Sequence, residues 1–324
     1  MAKLPFVSVC TPTFNRRPFI PYLIKCFEAQ TYSKSHMEWI IIDDGSDKIE
    51  DLVKDLEYVK YFKYDEKMTI GKKRNLLNEK SKGDIIVYMD DDDYYPPERV
   101  EHAVSVLQKN PKILCVGSSE LYIYYNKLNE LYRFGPYREN HATAATLAFK
   151  KELLKQTSFQ DNAALSEEKH FLKNYSIPLK QLESLKTILV FSHLQNTFDK
   201  CELLKNKNKF VNKSNIKVKT LIKNKELSEF YINNLNTVIE NYKPGSILFK
   251  PDVIKQKQEL EIMRNKQTNS FIQMKMGSET KYLNKDEVVN LLSMQHETIQ
   301  QQAKIIEGKN LEIRMLKEKQ VKDK

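Results

Sequence analysis

Gly83-Asp84-Ile85-Ile86-Val87-Tyr88-Met89-Asp90-Asp91-Asp92-Asp93 is the stretch on which the fold turns. A helix-breaking glycine precedes an unbroken apolar run from Ile85 to Met89, the pattern of a strand covered on both faces in a parallel sheet. Four aspartates follow directly. Adjacent carboxylates repel one another, so the run requires either bulk solvent or a cation. A solvated acidic loop is the plain alternative. A loop placed straight after a buried strand, however, stands at the strand's carboxyl end, where open α/β sheets bind ligands. Oxygen donors without cysteine favour Mg2+ or Mn2+ bridged to phosphates.

Working outward, residues 1–120 alternate between two hydrophobic periods, as βαβ units do. Phe6–Cys10 reads as a buried strand, and Pro18 and Pro21 suit the opening turn of a helix that runs to about Thr31. Met37–Asp43 holds Trp39-Ile40-Ile41-Ile42, a second buried strand. A helix near Ile49–Leu56 and a strand near Val59–Tyr64 come next, and Thr69 can cap a helix to about Ser81. After the aspartates, a helix beginning near Glu98 stops at Asn110-Pro111, and Ile113–Gly117 is a strand. Leu121–Phe134 is hairpin-like, Thr143–Phe149 a strand, Glu167–Asn174 a short helix and Thr187–Ser192 a last strand.

Three further polar elements fall on the same edge. Asp43-Asp44-Gly45-Ser46 ends the second strand; it is a simple Asx turn or a carboxylate pair that accepts hydrogen bonds from a base or ribose. Thr11-Pro12-Thr13-Phe14-Asn15 ends the first strand. Gly71-Lys72-Lys73-Arg74-Asn75 opens a helix whose amino end favours anions, although these cations also suit a solvated helix face. Singly each is weak; together they mark a site.

The chain has 324 residues and a formal net charge of +10. Residues 1–199 carry 28 basic and 28 acidic groups, so the excess belongs to residues 200–324, and nine Lys against one Glu fall within 200–225. That distribution argues against a uniformly basic nucleic-acid-binding protein, and aromatics for base stacking are sparse in 200–225. A 40% hydrophobic content excludes wholesale disorder, and no apolar run reaches the ~20 residues of a membrane span. Cys10, Cys26, Cys115 and Cys201 show no CxxC spacing. Together with the lack of a signal-peptide pattern, this leads us to expect a cytoplasmic protein, soluble or peripherally membrane-associated.

VSVCTPTFNRR, IIIDDGS, GKKRN and GDIIVYMDDDDYYPPE, in that order over about residues 5–120, resemble the inverting family 2 glycosyltransferases with the GT-A fold. The resemblance implies an α/β, Rossmann-like domain, a nucleotide-diphospho-sugar donor (most often a UDP-sugar) and Mn2+ or Mg2+ as cofactor. By motif position it implies that Thr11, Thr13 and Asn15 line the nucleotide pocket, and that Asp43 or Asp44 faces the base. Arg74 and Asn75 would lie near the ribose and pyrophosphate. The DxD signature maps to Asp90 and Asp92, with Asp92 the direct metal ligand; Asp91 and Asp93 form a second register. Ser166-Glu167-Glu168 looks like the family's Glu-Asp motif, which gives Glu168 the place of the catalytic base and leaves Glu167 as an alternative. His193, ahead of Asn196-Thr197, matches a His that completes the metal site in related enzymes; a structural His is the plain reading.

The implied acceptor is a hydroxyl on a glycan, lipid or protein. A sugar-1-phosphate nucleotidyltransferase or a dinucleotide-dependent dehydrogenase needs a glycine-rich loop after the first strand, and TPTFNRR has no glycine. The non-enzymatic rival is a catalytically silent sugar-nucleotide fold that acts as an assembly module through its tail. Accordingly the sequence predicts a catalytic domain over 1–199, a Lys-rich connector over 200–225 and a mostly helical region over 226–324. The connector is a solvated linker or a contact to an anionic membrane or lipid-phosphate acceptor. In the helical region, Val288, Leu292, Ile299, Ile306 and Ile313 set up a coiled coil at 286–319, and hence a homo-oligomer, or a single packed helix.

Overall fold

The computed structural model describes residues 4–205, 209–268, 272–276 and 279–322. The chain divides into two compact units, Met1–Gln256 and Lys257–Lys324. In the first unit the strands are β1 (Val7–Thr13), β2 (Met37–Asp43), β3 (Val59–Lys63), β4 (Ile85–Tyr88), β5 (Cys115–Gly117) and β6 (Leu121–Tyr125). They continue with β7 (Glu130–Phe134), β8 (Ala148–Lys150), β9 (Leu179–Gln181), β10 (Leu189–Ser192) and β11 (Val211–Lys213). Seven strands form one sheet in the order β3-β2-β1-β4-β8-β5-β9. The run from β3 to β4 is parallel, and β8 enters antiparallel to both β4 and β5. A second sheet has the order β10-β6-β7-β11.

Every residue of β1, β2 and β4 is buried. Alternation divides these strands between two apolar layers. Trp39, Ile41, Val87 and Met89 pack on α1 (Ile20–Glu28), whose Leu23 and Phe27 are fully buried. Ile40, Ile42, Ile86 and Tyr88 face Leu77, Phe149 and Phe171 on the other side. Here α2 (Glu50–Val53) is a single turn, while α3 (Ile70–Lys80) is capped by Thr69, whose Oγ1 accepts from the Lys72 amide at 3.4 Å. Arg99–Lys109 forms α4 and Glu167–Phe171 forms α5. The carboxyl ends of β1, β2 and β4 therefore share one edge, as the sequence pattern requires.

Three expectations change. Thr143–Phe149 is not a continuous strand: a turn at Ala144–Thr146 precedes β8. Thr146 Oγ1 donates to Thr143 O at 2.7 Å and accepts from the Ser118 amide at 2.9 Å, so a side chain takes over backbone bonding that a ladder would use. The compact unit that holds the sheets continues past residue 199, to Gln256. In the segment read as a solvated connector, β11 adds to the edge of the second sheet, and Val218 and Ile222 are buried in the core. Phe230, Tyr231 and Leu235 follow them there, with Phe230 stacked on Tyr22. Lysines masked these apolar anchors because their side chains point outward between them.

In the second unit, Ile272–Met276 and Glu279–Leu283 form an antiparallel hairpin that the helical reading missed. Lys285–Lys322 is one helix, and Leu292, Ile299, Ile306 and Ile313 of the seven-residue stripe are exposed. Among the described residues no helix is long and apolar enough to cross a membrane.

Candidate active site

A cavity of about 250 Å³ opens at the carboxyl ends of β1 and β4, and its lining includes Arg16, Arg74, Asp90, Asp91, Asp92 and Glu167. Arg74 organises one wall. Its Nε donates to Glu167 Oε1 at 2.7 Å, and its two terminal nitrogens donate to the two Asp90 oxygens at 3.1 Å each. The guanidinium also lies 4.5 Å from the Tyr88 ring centroid. A planar, delocalised cation is suited to this double fork, where a lysine could not hold both carboxylates in plane. Burial pushes Asp90 above the usual carboxylate range, against the opposing pull of Arg74.

Arg16 organises the opposite wall, 3.5 Å from Asp91 and 3.4 Å from Asp92. Burial raises Asp91 to about 6 against the pull of Arg16. Burial alone would raise Asp92 as well, but the His193 hydrogen bond and Arg16 hold it far below the ordinary range. Asp93 turns away from the cavity: its Oδ1 accepts from the Phe191 amide at 3.1 Å, and burial raises it well above its usual value. The second DxD register thus sends one of its two carboxylates into the protein interior.

His193 Nε2 stands 3.3 Å from Asp92 Oδ2, and the same nitrogen faces Asn196 Nδ2 at 2.8 Å. Nδ1 accepts from the Gln195 amide at 3.3 Å, so the neutral ring carries its proton on Nε2 and points it at Asp92; an ion held between the two would take that proton's place. Burial depresses His193 to about 4, which keeps it neutral at physiological pH. One carboxylate and one neutral imidazole fit a divalent ion whose other positions are filled by phosphate oxygens. Among the described residues no group of three or more His, Cys, Asp or Glu side chains gathers around a single point.

Several residues expected at the ligand are used within the scaffold. Thr11 Oγ1 donates to Met89 O at 2.6 Å and accepts from Trp39 Nε1 at 2.9 Å, stitching the sheet together. Thr13 is buried and offers its carbonyl to Lys73 Nζ at 3.2 Å. Asn15 holds a left-handed φ of 51°, accepts from the Asp47 amide at 3.0 Å and donates to Pro244 O at 3.0 Å. Asp43 accepts from the Gly45 and Ile49 amides at 2.9 and 3.1 Å, as in the turn reading, and from Tyr61 Oη at 2.7 Å. Asp44 pairs with Lys73 at 2.8 Å, and neither aspartate lines the cavity. Asn75 binds the loop at Phe159 and Asp161.

The close approach of these two loops explains Gly45. A Cβ there would lie 2.6 Å from the Asn15 backbone nitrogen. Gly45→Ala is expected to destabilise the protein by about 1–3 kcal/mol, measured as a lowered urea midpoint at unchanged slope.

The two glutamates of α5 have different surroundings. Glu167 is buried against Arg74, whereas Glu168 is half-buried and accepts from Tyr175 Oη at 3.4 Å. Burial, then the neighbouring Glu167 charge, push Glu168 up to about 7. Tyr175 in turn packs on the His141 ring at 4.8 Å between centroids.

Sequence reasoning missed Lys250, which lines the cavity from a segment without any motif. Lys250 lies near the end of a strap that hooks over the site. Gln195 Nε2 donates to the carbonyls of Ile239 and Tyr242 at 2.9 and 2.7 Å, and Tyr242 Oη to Asp47 at 2.8 Å. Arg16 donates to Gly245 O at 3.2 Å, and Gln256 Oε1 accepts from the Ala164 and Leu165 amides at 2.7 and 2.9 Å. No local pattern announces these contacts, because the partners lie far apart in the chain.

The buried, mostly parallel sheet with a carboxylate-rich cavity at its carboxyl edge is the arrangement expected of a GT-A domain, and the family match shows a glycosyltransferase. Residues 8–170 match the description "Glycosyl transferase family 2", and the chain belongs to that family. An uncharacterised glycosyltransferase of Haemophilus influenzae is 33% identical over 110 residues, covering 33% of this chain and 36% of the relative. The poly(ribitol-phosphate) β-N-acetylglucosaminyltransferase TarS of Staphylococcus aureus is 26% identical over 108 residues, covering 32% and 19%. The matched stretch thus spans only about a third of the first curated relatives, 36% and 33% of their lengths. Among solved structures, TarS 1–349 aligns over 86% of this chain and 98% of that one, with 15% identity and a TM-score of 0.49. A Pyrobaculum calidifontis mannosyltransferase in complex with GDP-Man and Mn2+ aligns over 64% and 66%, with 15% identity and a TM-score of 0.47.

Proposed function

We propose that this chain is a metal-assisted, inverting glycosyltransferase that uses a nucleoside-diphosphate sugar, with UDP-sugars the leading donor class, and a hydroxyl acceptor. The observation that carries the reading is the one cavity in which Asp90, Asp91 and Asp92 meet Arg16, Arg74 and Glu167. Family membership and the names of relatives support it.

Asp92 and His193 would hold the ion, Mn2+ suiting the imidazole better than Mg2+. When bound, such an ion offsets charge on the departing diphosphate. Arg74 keeps Asp90 and Glu167 fixed, and Arg16 keeps Asp91 and Asp92 from spreading apart. Glu168 is the base: its raised affinity for a proton matches the task near neutral pH, while the Arg74 ion pair makes Glu167 a poor proton acceptor. In the reaction the acceptor oxygen forms a bond to the sugar's C1 from the face opposite the diphosphate. The C1–O bond to the β-phosphate breaks, the hydroxyl proton passes to Glu168 and the nucleoside diphosphate leaves.

Donor hydrolysis tests this reading over a panel of UDP-, GDP- and dTDP-sugars. The expected result is Mn2+-dependent release of one nucleoside diphosphate, reduced at least about tenfold in Asp92→Asn. No release from any donor, combined with metal-linked donor binding that Asp92→Asn leaves unchanged, would leave only the silent assembly module.

A further inference from the structure

Five cations line the cavity: Arg16, Lys67, Lys73, Arg74 and Lys250. Four of them are already paired with carboxylates. Arg16 holds Asp91 and Asp92, Lys67 holds Asp252, Lys73 holds Asp44, and Arg74 holds Asp90 and Glu167. Lys250 differs. It is 8% exposed, and among the described residues its ammonium has no carboxylate within ion-pair distance, only a hydrogen bond to Thr197 Oγ1 at 3.0 Å.

A buried ammonium is costly without a contacting counter-charge: burial, then the Arg16 charge, lower Lys250 to about 7 against the more distant pull of Asp91 and Asp92, and a bound anion would restore its charge. The strap, hooked at Asp47, Arg16 and Leu165, holds this unpaired cation in the cavity wall that carries the aspartates. Of the five it is therefore the cation available to an anionic ligand without breaking an existing ion pair.

We propose that Lys250 receives the diphosphate of the donor, binding its oxygens from the cavity wall. The inference rests on the reading of the cavity as a nucleoside-diphosphate site and adds a residue to it. It also gives the strap a role: a segment outside the family match, which ends at residue 170, would complete the donor site.

Calorimetric titration with UDP, UMP and inorganic pyrophosphate, with and without Mn2+, tests the proposal. Lys250→Met keeps the buried stem and removes the charge; Lys250→Arg restores a cation. Lys250→Met is expected to weaken UDP and pyrophosphate by about 10- to 100-fold while changing UMP far less, so that the preference for UDP over UMP collapses. Lys250→Arg should regain part of it, and thermal melting should show both variants folded. Wild-type affinities for UDP and pyrophosphate in Lys250→Met would overturn the inference and leave the donor-site reading intact. An equal loss for UMP and UDP, or no recovery in Lys250→Arg with both variants folded, would make Lys250 structural and also overturn it. A wild-type protein that binds neither UDP nor pyrophosphate would remove the donor-site reading, and this inference with it.

Discussion

Glu168→Gln is expected to cut sugar transfer by about 10²- to 10⁴-fold while donor affinity stays within about twofold of wild type. The amide keeps the size and the hydrogen bond to Tyr175 but cannot take a proton. The pH profile gives a second readout. Burial and Glu167 hold Glu168 protonated up to about 7, so wild-type transfer should climb as pH rises through that value. The residual activity of Glu168→Gln should lack that limb. An active Glu168→Gln beside a dead Glu167→Gln would instead move the base to Glu167.

The same raised carboxyl has a stability consequence of opposite sign. Unfolded, Glu168 ionises near 4.5; folded, near 7. Folding is therefore unaffected below about pH 4.5, and the cost of the buried charge grows from about pH 4.5 to about 7 and stays constant above it. At pH 8 Glu168→Gln should be more stable than wild type by about 1 kcal/mol, a value reduced from the full shift because the side chain is half-buried. An inactive, slightly stabilised variant would distinguish a functional carboxylate from a structural one.

The second large effect belongs to Arg74. Arg74→Met preserves bulk over the Tyr88 ring but leaves Asp90 and Glu167 facing each other without a counter-charge. Removing one partner from a buried ionic network costs about 3–5 kcal/mol, equivalent to a Tm lowered by roughly 6–20 °C in a unit of this size. Asp90 already binds its proton more tightly than an ordinary carboxyl because it is buried. Without Arg74 that tendency strengthens, so the loss should be smaller at pH 5, where the carboxyl can take up a proton, than at pH 8. A pH-independent loss would show that packing around the guanidinium, rather than charge, is what Arg74 contributes.

The sheet was legible because its strands are continuous apolar runs, and Trp39-Ile40-Ile41-Ile42 and Ile85-Ile86-Val87-Tyr88 admit few other placements. The edge bearing the site followed from strand direction alone. What could not be read was how each polar side chain is used. Asp43 and Asn15 carry the residue types of a ligand pocket, yet backbone amides and a neighbouring loop satisfy them first. Short-range spacing cannot separate a carboxylate aimed at a ligand from one closing its own turn. The 200–256 region was misread for a different reason: its buried residues, such as Val218, Ile222 and Phe230, are spaced irregularly between lysines and asparagines, so neither helical nor strand periodicity emerges. Lys250 lay beyond reach because its partner Thr197 is 53 positions away and the cavity's Arg16, Arg74, Asp90, Asp91 and Asp92 lie further still.

The strap also sets an order of assembly. Asn15, Arg16 and Asp47 leave the ribosome early, but their partners Pro244, Gly245 and Tyr242 are made about 200 residues later. A nascent chain that has reached residue 199 holds the parallel sheet and all four adjacent aspartates, yet lacks the residues that close the pocket. At ordinary synthesis rates of about 5–20 residues per second, reaching Gln256 takes roughly 3–11 s more. During that interval the acidic edge stands open to water and ions. The pocket is thus closed late in translation, after the sheet that supports it.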